Sequence, residues 1–195
     1  MSAALRVQRG FYDAFAAAVA GQIHERAILV VHSGAGALVP SILRASGSIE
    51  AVIFVDALLP HPGQSWFDTA PAALAARLRS DSYAGCAPPW PKWLPGDALG
   101  RLLPDAGMRD SLAAGAPAVP LAFLDEPAPD WPAPARSCGC AYLQMSSAYD
   151  RETLEARASG WPTERLDGHH LWIMTNPSLV AAAITDLAVR LSEAA

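Results

Sequence analysis

The chain has 195 residues, the length of one domain, and a fold of that size buries roughly 70% of its unfolded surface, so a core needs no disulfide or metal staple. Hydrophobic residues make up 52% and charged residues 17%, which excludes intrinsic disorder. A net charge of −5 with no basic block argues against nucleic acid as a partner, and no apolar run approaches the ~20 residues that cross a bilayer, so no membrane partner is expected either.

Arg6 and Arg9 ahead of the apolar stretch Phe11 to Ala20 loosely mimic a secretion signal. Asp13 interrupts that stretch, however, and Phe11, Phe15 and Val19 recur at i, i+4 and i+8, so an amphipathic helix stopped by Gly21 is predicted, in a cytoplasmic protein. Ala27 to Val31 is a continuous apolar run, as a strand buried on both faces requires. His32-Ser33-Gly34-Ala35-Gly36 is a tight turn of small residues, and Ala37 to Ser46 reads as a helix with Pro40 tolerated in its first turn. Ala51 to Val55, closed by Asp56, is a second buried strand. Strand, helix and strand within about 30 residues make a βαβ unit and therefore a parallel sheet.

Residues 57–135 differ in character. Ala70 to Ser80 reads as a helix, but Pro88, Pro89, Pro91 and Pro95 surround Trp90 and Trp93, and residues 117–134 hold six more prolines with Trp131. Such a stretch cannot be part of a regular sheet core. It is read as an irregular Pro- and Trp-rich cap over one end of the sheet, with Val119 to Leu124 extended. Trp66, Trp90 and Trp93 suggest an apolar acyl or aromatic pocket within it; the plainer alternative is a loop excursion packed by its own tryptophans.

Regular structure resumes with a strand at Ala141 to Met145, a helix at Asp150 to Ser159 and a short strand at Thr163 to Leu166. Asn176 and Pro177 form an N-cap and N1 pair, after which Leu179, Val180, Ala183, Ile184, Leu187 and Leu191 mark one face of a C-terminal helix. The fold class is thus α/β, a mostly parallel sheet flanked by helices, in a single domain over residues 1–195.

Cys86, Cys138 and Cys140 are an odd number of thiols, which does not read as a disulfide framework, and Cys138-Gly139-Cys140 is too closely spaced for a zinc knuckle. Reduced thiols are expected, with no metal and no diffusible cofactor.

The chemistry is sought at Ser33. A hydroxyl on a small-residue turn at the end of a buried strand is lifted clear of the sheet, and the next backbone N–H, that of Gly34, opens a helix and points at a developing oxyanion. Ala35 and Gly36 let strand and helix approach closely. The segment Val30-Val31-His32-Ser33-Gly34-Ala35-Gly36 resembles the G-x-S-x-G elbow of the α/β-hydrolase superfamily, within it the small esterase and hydroxynitrile-lyase branch. The resemblance extends over residues 11–192, carried also by Phe54 to Pro60 and by Asp167-Gly168-His169-His170. It implies a histidine base on Ser33. His170 lies seven residues before Pro177, the spacing the resemblance favours, whereas the pair Gly168-His169 favours His169. The acid behind the base is implied at Asp150, after the strand 141–145, or at Asp56, after the strand 51–55; each has an alternative reading as a cap of the segment that follows. Asp125 and Glu126 fit neither position, and His24 and His61 read as surface residues.

Two departures matter. Val31 stands where the resemblance has glycine, and its branched side chain is expected to crowd the elbow. Only about 26 residues precede the strand 27–31, so the resemblance implies that four strands and a helix are missing, together with the second oxyanion donor that follows the third strand. The edge of the strand 27–31 is then bare unless Leu5 to Arg9, a longer N-terminus or a second copy of the chain covers it. The leading functional expectation is a serine hydrolase taking a small-molecule acyl substrate, an ester or thioester. A lyase, cyclase or thioesterase-like step on the same site, or a degenerate binding module without catalysis, are the alternatives.

Overall fold

A computed structural model describes residues 10–131 and 138–193; Leu5 to Arg9, a suggested cover for the sheet edge, and the last residues of the expected cap lie outside the described residues. Helix α1 (Phe11–Ala20) is followed by strand β1 (Ala27–Ser33), a 3₁₀ turn (Gly34–Leu38), helix α2 (Val39–Ala45) and strand β2 (Ile49–Ala57). Strands β1 and β2 run parallel, as a helical crossover requires. Later come β5 (Gly139–Gln144), helix α8 (Asp150–Ala158), β6 (Thr163–Arg165), the short α9 (Trp172–Thr175) and the long α10 (Pro177–Glu193). Among the described residues these four strands form one parallel sheet in the order β1-β2-β5-β6.

The period of two along β2 builds the three layers. Ala51, Ile53 and Val55, with Ala141, Leu143 and Met145 of the neighbouring strand and its end, pack against Val180, Ala183, Leu187 and Leu191 of α10. The alternate residues Val52 and Phe54, with Cys140 and Tyr142, pack on the other face against Val39 of α2 and Ala156 of α8. Each fully buried leucine or phenylalanine in these layers contributes ~1.5–3 kcal/mol. Pro177 opens α10, but Leu179, expected on its buried face, is 49% exposed. The face of α1 is also rotated from the expected one: Tyr12 and Ala16 are buried and Phe15 is 45% exposed, its ring touching Phe123 edge-on. The small Ala16 lets α1 lie close to its support, which turns the larger Phe15 to the rim.

Strand β1 is an edge of the sheet among the described residues, and Ile28 and Val30 point outward from it, 39% and 45% exposed. Val31 is buried with Val39, Val52 and Phe54, so its branched side chain fills the helix-side layer instead of opening the turn. The irregularity falls one step later: pairing with β2 shifts between His32 and Ser33, so that Ser33 opposes Ala57 and Asp56 is skipped.

Between β2 and β5 the chain forms α3 (Trp66–Thr69), α4 (Ala72–Ser80), a two-stranded antiparallel ladder of β3 (Cys86–Ala87) and β4 (Val119–Pro120), α5 (Ala98–Leu102), α6 (Ala106–Gly115) and α7 (Leu121–Leu124). The expected extended run from Val119 therefore stops at Pro120. The Leu121 N–H is taken by the Gly85 carbonyl, and Leu121 to Leu124 coil into a single helical turn that buries Leu124. The segment has a small core of its own in Phe67, Ala75, Leu78, Ala87 and Leu124.

Candidate active site

The site lies at the C-terminal ends of β1, β2 and β5, where ligands bind in open parallel sheets. Ser33 is the last residue of β1 and has φ +58 and ψ −133; Asp56, near the end of β2, has φ +42. Left-handed backbone at a residue other than glycine costs of order 1–3 kcal/mol and persists only where the surroundings enforce it. Here the enforcement at Ser33 is close packing behind the turn. A Cβ on Gly36 would fall 1.9 Å from the Leu58 carbonyl oxygen, so only glycine lets the 3₁₀ turn press against the end of β2.

The Ser33 hydroxyl donates to His170 Nε2 across 3.1 Å, and His170 Nδ1–H donates to Asp56 Oδ2 across 2.9 Å. His170 thus holds the position that the spacing to Pro177 suggested. His169 is turned away: its Nδ1 accepts from the Leu171 N–H at 3.2 Å and its ring meets Trp172 edge-on.

The acid position is corrected from Asp150 to Asp56. Asp150 is exposed, takes a hydrogen bond from Gln144 Nε2 and lies 3.8 Å from Arg165, whereas Asp56 is 0% exposed. The loop after β5 clamps it: the N–H groups of Met145 and Ser146 donate to Oδ1 at 2.8 and 2.9 Å, and Ser146 Oγ donates to Oδ2 at 2.6 Å. Burial alone pushes a carboxyl pKa up, but the hydrogen bonds from His170, Ser146 and these two amides outweigh it and hold Asp56 below the ordinary carboxylate value. Asp56 is therefore a buried, ionised acceptor at neutral pH, oriented to hold the tautomer of His170 that leaves Nε2 free to accept a proton.

Two further side chains complete the surroundings of the imidazole, and neither was singled out from the sequence. His32 stacks on His170 with ring centres 4.3 Å apart and donates through Nε2–H to the His170 carbonyl at 3.1 Å. Tyr149, in the short turn after β5, also stacks on His170, at 5.3 Å, and its hydroxyl lies 3.3 Å from Ser33 Oγ. Their only signal in the sequence is position: His32 adjoins the nucleophile candidate, and Ser146 and Tyr149 occupy the loop in which Asp150 was sought.

Burial, and then the neighbouring His170, push the pKa of His32 down to about 4, so its ring is neutral at pH 7. The unfolded chain takes up a proton near 6.5 while the folded chain resists until about 4. This contribution is full above pH 6.5 and is lost as the pH falls towards 4, by roughly 2–3 kcal/mol over the window. Urea unfolding of His32→Gln is expected to lose correspondingly less stability between pH 7 and pH 4.5 than the wild type; equal losses in the two proteins contradict it.

A cavity of about 270 Å³ opens beside the pair, lined by Ser33, His170 and His32 and by the apolar Trp90, Leu112, Leu171, Ile173 and Met174. Of the three tryptophans expected at a pocket, only Trp90 lines it. Trp66 and Trp93 pack on each other at 5.1 Å in the small core of the excursion, with the Trp93 indole N–H bonded to the Pro88 carbonyl. A second cleft of about 320 Å³, between α1 and α2 and lined by Asp13, Ser41 and Arg44, contains none of the candidate residues. His24 is exposed, but His61 is half-buried and bonds to the Leu59 carbonyl rather than to solvent.

Among the described residues no group of three or more His, Cys, Asp or Glu is arranged to hold a metal ion, and no helix is long and apolar enough to cross a membrane. The three cysteines are unpaired, and burial raises the pKa of Cys138 and Cys140, which keeps them as thiols. Chemically the arrangement is a hydroxyl whose proton can pass to an imidazole, an imidazolium that a buried carboxylate stabilises, and the Gly34 N–H standing first in the turn after the hydroxyl.

No protein-family model matches the sequence, and no curated protein matches it at the sequence level. Solved structures do match. An extracellular α/β-hydrolase from a Paenibacillus species, described as sharing structural and functional homology with tobacco salicylic acid binding protein 2, is 20% identical with a TM-score of 0.68, over 92% of this chain and 77% of that one. A pyrethroid hydrolase from Sphingobium faniae is 18% identical with a TM-score of 0.63, over 93% and 78% of the two chains. A polyneuridine aldehyde esterase mutant is 15% identical with a TM-score of 0.59, over 91% and 79%. With its parallel sheet, its layers of helices and its likeness to these structures, the chain has the α/β-hydrolase fold.

Proposed function

We propose that the protein is a serine hydrolase that cleaves a carboxylic ester or thioester through an acyl-enzyme on Ser33. The observation that carries this reading is the continuous path from Ser33 Oγ to His170 Nε2 (3.1 Å) and from His170 Nδ1 to Asp56 Oδ2 (2.9 Å) at the mouth of an apolar cavity. Attack of Oγ on the carbonyl carbon passes the hydroxyl proton to His170 Nε2, and the carbonyl π pair moves to oxygen, facing the Gly34 N–H. As the carbonyl re-forms, the bond to the leaving group breaks and His170 returns the proton to it. Water then repeats the sequence on the acyl-enzyme. The buried Asp56 carboxylate stabilises the imidazolium at both steps without taking the proton.

The walls formed by Trp90, Leu112, Leu171, Ile173 and Met174 suit an apolar acyl or alcohol group. Esterase and pyrethroid hydrolase activities named for neighbours of the same fold agree with this substrate class. The test is covalent labelling. A fluorophosphonate probe is expected to modify the folded protein at Ser33 and to leave Ser33→Ala unmodified, with hydrolysis of p-nitrophenyl butyrate lost in the same variant. Folded wild-type protein that takes no label at Ser33 overturns the acyl-enzyme reading.

A further inference from the structure

The three-residue proton path makes no use of Tyr149, yet its hydroxyl stands 3.3 Å from the reacting oxygen of Ser33. The ring is fixed: it stacks on His170 with an interplanar angle of 19°, its backbone carbonyl accepts from Thr153 Oγ1 at 2.9 Å, and its N–H donates to the Ser146 carbonyl at 3.4 Å. Ser146 is the residue that clamps Asp56, so one loop after β5 sets both the acid and this hydroxyl. Ser33 has a single hydroxyl proton, and His170 Nε2 accepts it. In the contact between the two hydroxyls Tyr149 is therefore the donor.

Resting on the serine hydrolase reading, we infer that the Tyr149 hydroxyl is a second oxyanion donor, working with the Gly34 N–H. When Oγ bonds the carbonyl carbon, its lone pair becomes the new C–O bond and the negative charge appears on an oxygen attached to that same carbon. A donor aimed at Oγ before attack is within one small rotation of the oxyanion after it. Its hydrogen bond then strengthens as charge develops, which is the condition for a transition-state contact. No proton leaves Tyr149 at any stage: the serine proton goes to His170 and from there to the leaving group, and the tyrosine only shares its own. Burial supports this, pushing the Tyr149 pKa up to about 12, so the hydroxyl remains a donor throughout the neutral range.

Tyr149→Phe removes the hydroxyl and retains the ring that stacks on His170. Its kcat/KM for p-nitrophenyl butyrate is expected to fall by about 10²-fold with KM changed only a few-fold. The inhibition constant of an aryl boronic acid, which forms a tetrahedral adduct with the serine, is expected to weaken by a similar factor. A thermal melt close to wild type, together with fluorophosphonate labelling that still reaches completion at Ser33, identifies the loss as one of charge stabilisation. A kcat/KM within threefold of wild type overturns the inference, and so does an unchanged boronic acid affinity alongside a reduced rate. Both of those results leave labelled Ser33 and the hydrolase reading in place, whereas absence of label in the wild type defeats the reading itself.

Discussion

Asp56→Asn is expected to lower kcat/KM for p-nitrophenyl butyrate by about 10³–10⁴-fold, while Asp150→Asn stays within threefold of wild type. The two carboxylates follow neighbouring strands of one sheet, but their surroundings separate them. Asp56 is fully buried and receives four hydrogen bonds: from His170 Nδ1, Ser146 Oγ and the N–H groups of Met145 and Ser146. An amide in its place is neutral and presents N–H groups to donors, so it both rotates the imidazole out of its productive tautomer and leaves the imidazolium without a counter-charge. Asp150 has a side chain 56% exposed and bonds outward to Gln144 and Arg165, contacts worth little in water. Steady-state kinetics on both variants, with circular dichroism to confirm folding, check the assignment. A crippled Asp150→Asn beside an active Asp56→Asn reverses it.

Gly36→Ala is expected to destabilise the fold by about 3 kcal/mol or more and to abolish hydrolysis, because the added carbon has no space. The obstruction is backbone, the Leu58 carbonyl, which cannot rotate away as a side chain would. Relief requires the turn after Ser33 to lift off β2, and the Leu58 N–H to Ser33 carbonyl bond of 3.0 Å is lost with it. Gly34 is the control. A Cβ there meets nothing within 4 Å and the residue needs no left-handed backbone, so Gly34→Ala is expected to unfold within about 0.5 kcal/mol of wild type. Urea denaturation of the two variants measures the contrast, and a Gly36→Ala midpoint equal to wild type contradicts it.

The parallel sheet was legible in the sequence wherever a strand is buried on both faces. Ala51 to Val55 has no polar side chain to place, and in Ala141 to Leu143 the one polar atom, the Tyr142 hydroxyl, is bonded to the backbone of Ala57. The C-terminal helix was legible for a related reason, since Val180, Ala183, Leu187 and Leu191 keep one period over several turns. Ser33 stood out because a hydroxyl among small residues at a strand end has few structural uses. The acid did not, because both aspartates sit at strand ends and only the folded loop at Met145 and Ser146 decides which one is enclosed. His32 and Tyr149 were invisible as partners of His170 for the same physical reason. The His32 to His170 stacking and the Tyr149 to Ser33 hydroxyl contact join residues more than 100 positions apart, the stacking of Tyr149 on His170 crosses a helix and a strand, and no local periodicity encodes them. The tryptophans misled in the opposite direction: an aromatic cluster suggests a ligand, but Trp66 and Trp93 satisfy each other.

Strands β1, β2 and β5 each supply one part of the apparatus: the hydroxyl on the first, the carboxylate on the second, and the clamp for that carboxylate just beyond the third. A slip of one residue in any pairing turns side chains to the opposite face and breaks the set apart. For the proposed hydrolysis, turnover is therefore a gauge of assembly: during refolding it is expected to return no earlier than the slowest of these strand pairings and the docking of His170 against Ser33.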